Sequence, residues 1–165
     1  MNPTHRKHAS QLADITSLLF TNCQTKELQH AEKYKVSIMQ FRCLRMLYSF
    51  KTLTVNQLAN EMHLTSGRIT RIVDGLVKKG LVQRNIDDHD RRYFHLALTP
   101  EGNKLTSEMI DDYHNIHREI IANVPEGSRE KLIEMLTILN TAVEDWLCHG
   151  SAADLTYEND DNYKI

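Results

Sequence analysis

Features that mark several classes of protein are missing from this chain of 165 residues. Cysteine occurs only three times, at Cys23, Cys43 and Cys148, and an odd number of cysteines so far apart indicates neither a disulfide framework nor a CxxC zinc site. No apolar run approaches the roughly 18 residues of a membrane span, and the polar N-terminus does not resemble a signal peptide. We therefore expect an untargeted, cytoplasmic protein with no membrane partner.

A large excess of charge of one sign is also lacking. The net charge of -2 argues against a uniformly basic nucleic-acid binder, but the charges are unevenly placed. Residues 51–92 hold eight Lys and Arg against five Asp and Glu, a local charge of +3, while the rest of the chain carries -5. We expect any surface that binds a polyanion to lie in this central part.

Apolar periodicity predicts long helices at both ends of the chain. A first helix over about 8–32 is followed by a Ser37–Gln40 capping box that opens a helix over 38–50. Thr99-Pro100 opens a later helix, and a final helix follows the break at Pro125 and Gly127. Their apolar stripes predict helix-on-helix packing. The stripes are Leu12, Ile15, Leu18, Leu19 and Cys23 in the first helix, Leu105, Met109, Tyr113, Ile116 and Ile120 after Pro100, and Leu132, Leu136, Leu139, Val143 and Trp146 in the last.

The middle of the chain has the pattern of a helix-turn-helix followed by a β-hairpin. A second capping box at Thr54–Gln57 opens a short helix that ends near His63, and another helix covers about 66–79. His63 stands where this turn usually has glycine, and histidine tolerates left-handed backbone better than most residues. Strands over 81–84 and 93–98 form the hairpin. Ile69, Ile72, Val73, Leu76 and Val77 share one face of the helix over 66–79, and Gly67, Arg71, Asp74 and Lys78 centre the other.

These elements predict a mostly α protein with a small β-hairpin and a division of labour along the chain. We expect residues 1–50 and 100–149 to form a helical dimerisation region, residues 51–99 to bind DNA, and the acidic segment 150–165 to be a loose tail. In a helix-turn-helix, the first turns of the second helix enter the major groove.

The candidate DNA contacts divide into residues that read bases and residues that hold phosphates. We predict that Arg71 binds a guanine in a bidentate manner, and that Arg91 and Arg92 at the hairpin tip reach the flanking backbone or the minor groove. The predicted DNA-binding residues are Thr54, Ser66, Gly67, Arg68, Thr70, Arg71, Lys78, Arg84, Asp90, Arg91 and Arg92.

The stretch from Leu53 to Gly102 resembles the winged helix-turn-helix of the MarR family of bacterial transcriptional regulators. The residues that carry the resemblance are LTVNQLANEMHLTSGRITRIVDGLVKKGLVQR, then Asp90-Arg91-Arg92, and then Leu98-Thr-Pro-Glu-Gly102. The flanking helices fit the family's dimerisation layout. The resemblance implies a homodimer that binds a pseudo-palindromic operator as a repressor, and that a small-molecule ligand or oxidation releases it.

The resemblance also gives the acids of the hairpin tip a role. In the family, Asp-x-Arg of the wing acts as a unit, which here is Asp90 and Arg92. It implies that the aspartate holds an arginine in place and lowers the entropy lost when DNA arrives. We expect Asp90→Ala to weaken DNA binding although it removes a negative charge. Asp87 and Asp88 either make the turn or discourage non-specific adhesion.

Three positions are candidates for sensing a signal. Some family members sense peroxides through a cysteine of the first helix, where Cys23 lies, but its neighbours do not match that motif and only Lys26 supports a thiolate. His114 and His117 share a helix face, but two ligands do not make a metal site, so no metal or cofactor is predicted. A small-molecule pocket is expected near residues 38–47 and the first helix.

Two other functions remain open at this point. One is a redox-sensing regulator of the same fold that depends on Cys23, and the other is a winged-helix protein-interaction module that does not bind DNA. An enzyme is not indicated, because the sequence has no glycine-rich phosphate loop, no Ser/His/Asp signature and no evident pair of catalytic carboxylates.

Overall fold

The computed structural model describes residues 3–86 and 94–149. The chain divides into two compact units after Asn115, within its fifth helix. The predicted fold, mostly α with a small β-hairpin, is confirmed. In chain order the elements are α1 (Pro3–Lys33), α2 (Ile38–Phe50), β1 (Thr52–Thr54), α3 (Val55–Glu61), α4 (Ser66–Lys78), β2 (Val82–Ile86), β3 (Phe94–Leu98), α5 (Pro100–Ala122), a 3₁₀ turn (Glu126–Ser128) and α6 (Arg129–His149).

Two capping boxes fix where α2 and α3 begin. The Ser37 hydroxyl accepts the Gln40 N–H at 3.1 Å, and the Gln40 side chain accepts the Ser37 N–H at 3.1 Å. Thr54 and Gln57 exchange the same two bonds, at 3.2 and 2.8 Å. Each box satisfies two backbone donors that a helix start leaves free, so both predicted helix starts are confirmed.

The strands form one antiparallel sheet in the order β1, β3, β2. The hairpin of β2 and β3 was predicted. The predicted β2 starts one residue before the observed strand and ends two residues before it. The third strand, β1, was missed; it pairs with β3 through Leu53 opposite Leu96. The first helix begins at Pro3, earlier than the predicted residue 8.

The core of the first unit fills the space between α2, α3, α4, the first half of α5 and the sheet. Its largest fully buried side chains are Phe41, Leu44, Leu47, Leu58, Ile69, Leu76, Leu96, Met109, Val73, Val82, Thr106 and Cys43.

Val77, predicted on the apolar face of α4, is 37% exposed, and Ile120, predicted in the apolar stripe of α5, is 49% exposed. Ile69, Val73 and Leu76 already form the buried stripe of α4, and Val77 is turned about 100° from Leu76 because a helix has about 3.6 residues per turn. Ile120 lies in the second unit, where most large apolar side chains are exposed.

The start of α5 is bound to the turn that follows α4. The Thr99 hydroxyl donates to the Gly80 carbonyl at 2.7 Å and accepts the Gly102 N–H at 2.9 Å, which confirms Thr99 as an N-cap. The Thr99 N–H donates to the Leu81 carbonyl at 3.1 Å. A Cβ on Gly102 would lie 1.9 Å from that carbonyl oxygen, so this approach of two backbones requires glycine.

Each unit carries a helix face whose apolar side chains are exposed among the residues that the structure describes. In α1 of the first unit, Leu12, Ile15, Leu18, Leu19 and Phe20 are exposed. In α6 of the second unit no described residue is buried, and Ile133, Leu136, Ile138, Val143, Trp146 and Leu147 are all exposed. Within the described ranges, every helix is too short or too polar to cross a membrane.

Candidate nucleic-acid interface

A tight turn joins α3 to α4 in the predicted helix-turn-helix. His63 adopts the left-handed conformation, with φ of 52°, so histidine takes the place of the usual glycine as predicted. The Leu64 N–H donates to the Ala59 carbonyl at 2.9 Å, which closes the end of α3. Ala59 is 3% exposed, and its small side chain allows the two helices to cross closely.

The first turn of α4 is held by side chains of its own neighbourhood. Thr65 is the N-cap and accepts the Arg68 N–H at 3.4 Å. The Ser66 hydroxyl donates to the Asn56 side chain of α3 at 2.8 Å, and the Thr70 hydroxyl donates to the Ser66 carbonyl at 2.8 Å. Two predicted contacts, Ser66 and Thr70, therefore also stabilise the helix start in the free protein.

The outer face of α4 is cationic and open. Arg68, Arg71 and Lys78 are exposed, while Ile69 on the inner face is fully buried. A Cβ on Gly67 would meet nothing within 4 Å, so this position leaves room for a surface to approach the backbone. The positive end of the helix dipole lies at the same end, which adds to the attraction for an anion.

Arg84 of β2 is paired with Asp74 of α4, a contact that the sequence did not reveal. The Arg84 guanidinium donates to the Asp74 carboxylate at 2.5 Å, and both side chains are partly exposed. Arg84 was predicted to contact DNA, and in the free protein this ion pair connects α4 to β2 of the hairpin. Asp74 also offsets part of the positive charge of the outer face.

Thr54, another predicted DNA contact, is the N-cap of α3, and its hydroxyl takes part in the capping box. Its hydroxyl accepts the Gln57 N–H at 3.2 Å and contacts the Gln57 side-chain oxygen at 3.0 Å. The remaining predicted contacts, Asp90, Arg91 and Arg92, lie between Ile86 and Phe94 and outside the described residues, as does the acidic segment 150–165.

Comparison with known proteins gives the same family as the sequence pattern. The model of the MarR family matches residues 36–94. The transcriptional repressor MdtR of Bacillus subtilis (strain 168) is 32% identical over 108 residues, 63% of this chain and 70% of that protein. The uncharacterized transcriptional regulator YsmB of the same organism is 33% identical over 78 residues, 47% of this chain and only 53% of that protein.

The chain belongs to the MarR family of transcriptional regulators. The crystal structure of Streptococcus pneumoniae FabT in complex with DNA has the same fold, with a TM-score of 0.74 at 22% identity, over 83% of this chain and 98% of FabT.

Two surface cavities of the first unit flank Arg45, a residue of α2. One, of about 330 Å³, is lined by Arg45, Tyr48, Ser49, Ile110, Tyr113 and His114. The other, of about 300 Å³, is lined by Glu27, Met39, Arg42, Arg45, Met46, Glu61, Met62 and His63. The second cavity reaches from α1 to the turn of the helix-turn-helix.

The candidate sensing residues differ in their surroundings. Cys23 is exposed, whereas Cys43 is buried, and burial raises the pKa of the Cys43 thiol to about 12. In residues 3–86 and 94–149, no three His, Cys, Asp or Glu side chains come together as a metal site, so His114 and His117 gain no third ligand there.

Proposed function

We propose that the protein is a cytoplasmic homodimer that represses transcription by binding a pseudo-palindromic operator with α4 and the hairpin. A small-molecule ligand then releases it. The observation that carries the proposal is the row of exposed Arg68, Arg71 and Lys78 on a helix whose opposite face is buried. Such a helix can enter the major groove without exposing the core.

In this proposal the basic side chains of α4 have different roles. Arg71 lies in the second turn of α4, where a bidentate guanidinium reads the O6 and N7 atoms of guanine. Lys78 lies in the last turn and contacts the phosphate backbone, together with Arg91 and Arg92 at the hairpin tip. Asp90 holds Arg92 in place. Arg84 joins these contacts only if it leaves Asp74.

Residues 1–50 and 100–149 form the dimerisation region in this proposal. The exposed apolar faces of α1 and α6 are the surfaces that a second copy covers. An uncovered set of this size, with Trp146 at 59% exposure, exceeds what a monomer usually leaves in water. A twofold dimer also matches the symmetry of a pseudo-palindrome.

The ligand of this proposal binds beside Arg45. Its guanidinium lies 5.8 Å from the Phe41 ring centroid and 5.5 Å from that of Tyr113. No carboxylate of the described residues forms an ion pair with Arg45. An unneutralised guanidinium beside the aromatic side chains of the first cavity, whose described lining holds no carboxylate, suits an anion with an apolar body. Such a ligand would contact α2 and α5 together.

The experiment that tests DNA binding compares two variants on an operator selected from genomic fragments. Arg71→Ala should relax sequence preference, at a cost of about 1–3 kcal/mol on the selected site. Arg92→Ala should weaken binding to all sequences and lower the salt dependence by about one phosphate contact. Fluorescence anisotropy at several salt concentrations measures both. Unchanged operator affinity in both variants, or equal affinity for a shuffled sequence, would reject DNA recognition.

Sedimentation tests the dimer independently of DNA. The wild type should sediment as a dimer, and Leu18→Glu should shift it towards the monomer because it places charge in the apolar face of α1. A monomeric wild type would contradict the proposed assembly.

Ligand release is tested with benzoate as a probe, which should displace the operator from the wild type and not from Arg45→Met.

A further inference from the structure

Lys79 directly follows the recognition helix α4, but its side chain is engaged by the protein itself. Its ammonium donates to the Lys35 carbonyl at 2.6 Å and to the Gln40 side-chain oxygen at 2.9 Å. Lys35 lies in the turn between α1 and α2 and has a left-handed backbone, with φ of 55°. Lys79 therefore joins the C-terminal end of α4 to the corner between α1 and α2. Lys78 and Lys79 are both exposed, so the two differ in the hydrogen bonds of Lys79 and not in burial.

Gln40 is a fixed acceptor for this ammonium. Its side-chain oxygen already accepts the Ser37 N–H at 3.1 Å in the capping box of α2. The same oxygen thus caps α2 and accepts a hydrogen bond from Lys79. Because the cap determines the orientation of the amide, little side-chain entropy is lost in forming the second bond.

Gly75 allows α4 to approach Gln40. It precedes Lys79 by four residues, so both lie on the same side of the helix end. A Cβ at this position would lie 2.8 Å from the Gln40 side-chain nitrogen. A larger residue at position 75 would displace the amide that Lys79 uses.

We infer that Gln40 and Lys79 are positioning residues that set the placement of the recognition helix against the α1–α2 corner, and that Lys79 is not a phosphate contact. The inference rests on the proposed function, in which α4 reads the operator. Base contacts require side chains to lie within about 0.5 Å of their productive positions. The attachment of the C-terminal end of α4 therefore determines which bases its N-terminal turns can reach. The Asp74–Arg84 ion pair is a separate contact between α4 and β2.

Adjacent lysines make a matched test. Lys78→Met should lower the salt dependence of operator binding by about one phosphate contact, and Lys79→Met should leave that dependence unchanged. Lys79→Met should still weaken operator binding about tenfold, the effect of one lost charge-assisted hydrogen bond, with little change on shuffled DNA.

Variants of Gln40 show whether the two residues act together. Gln40→Ala should weaken operator binding as much as Lys79→Met, and the double variant should be no weaker than either one. Gln40→Glu keeps the Ser-x-x-Glu capping box and an acceptor for the ammonium, so it should retain wild-type affinity. If loss of the cap unfolds Gln40→Ala, Gln40→Glu with and without Lys79→Met gives the same comparison in a capped protein. Gly75→Ala should resemble Gln40→Ala.

The outcomes separate this inference from the proposed function. If Lys79→Met lowers the salt dependence of binding as much as Lys78→Met does, Lys79 is a phosphate contact and the inference is overturned. So would full operator affinity in Lys79→Met and Gln40→Ala while Arg71→Ala loses sequence preference. Unchanged binding in all variants, Arg71→Ala included, would instead reject DNA recognition by α4.

Discussion

The His30 imidazole lies 3.7 Å from the Asp112 carboxylate, measured from Nε2 to Oδ2, in a fully buried position. Neither ring nitrogen forms a hydrogen bond with any residue that the structure describes. Three rings surround it, with centroids at 5.4 Å for Tyr34, 4.9 Å for Phe41 and 5.5 Å for Tyr113. This aromatic box joins α1, α2 and α5 around an imidazole that burial favours in its neutral form.

Stability should fall as the pH drops below the ordinary pKa of histidine. Burial lowers the His30 pKa from 6.5; Asp112 and the Met109 backbone oppose the shift, and Lys33 and Lys26 add to it. The unfolded chain therefore binds a proton at a pH where the folded protein does not, and stability is lost from pH 6.5 down through the folded pKa. Urea unfolding between pH 8 and pH 5 measures this.

Substitution of the ring provides the control for that pH dependence. In His30→Leu, the free energy of unfolding should depend less on pH below 6.5. At pH 8 it should stay close to that of the wild type, because the substitution removes two buried nitrogens that lack hydrogen bonds. His114→Leu, at an exposed position, should leave the profile unchanged. If His30→Leu has the wild-type profile, the pH dependence arises elsewhere.

Local signals predicted much of this fold, and distant contacts account for what was missed. Capping boxes such as Ser37–Gln40 act over three residues, so sequence spacing is sufficient to find them. The three-residue β1 is too short to show periodicity and depends on pairing with β3, about 40 positions later. The contacts of Lys79 with Gln40 and of Arg84 with Asp74 form only when separate elements pack. For that reason the sequence predicted the cationic face of α4, but it did not predict which charged side chains near α4 form contacts within the protein.

Two glycines, each in the first turn of its helix, should respond oppositely to alanine. Gly102→Ala places a Cβ 1.9 Å from the Leu81 carbonyl oxygen, and neither backbone can yield cheaply, so we expect a loss of about 3 kcal/mol or more. Gly67→Ala meets nothing within 4 Å and should gain up to about 1 kcal/mol from helix propensity. Denaturant unfolding of both variants decides this. Equal effects would mean that α5 does not approach the turn so closely.

The three thiols should differ in reactivity. Cys23 and Cys148 are exposed, and Cys43 is buried with its pKa raised to about 12. A thiolate is the reactive form, so a disulfide reagent should titrate two thiols in the native protein and three after denaturation. Cys23→Ser should reduce the native count to one. Rapid reaction of all three would show that the core around Cys43 opens.

Cys23→Ser also tests the redox alternative. We expect peroxide to affect operator binding equally in the wild type and in this variant, because exposure alone does not activate a thiol. Anisotropy of a labelled operator before and after peroxide treatment measures the effect. Peroxide release that the serine variant abolishes would establish the redox-sensing regulator instead.

The Asp74–Arg84 pair should limit binding to non-operator DNA. Asp74→Asn frees the Arg84 guanidinium and removes a negative charge from the outer face of α4, so we expect tighter binding to shuffled DNA and a steeper salt dependence. Stability should change by less than about 1 kcal/mol, because the pair is partly exposed. Arg84→Met with Asp74→Asn is the control and should lose the added affinity. Weaker binding of Asp74→Asn to both operator and shuffled DNA would contradict this prediction. It would mean that the Asp74 carboxylate holds the hairpin against α4, and that Arg84 is a positioning residue and not a phosphate contact.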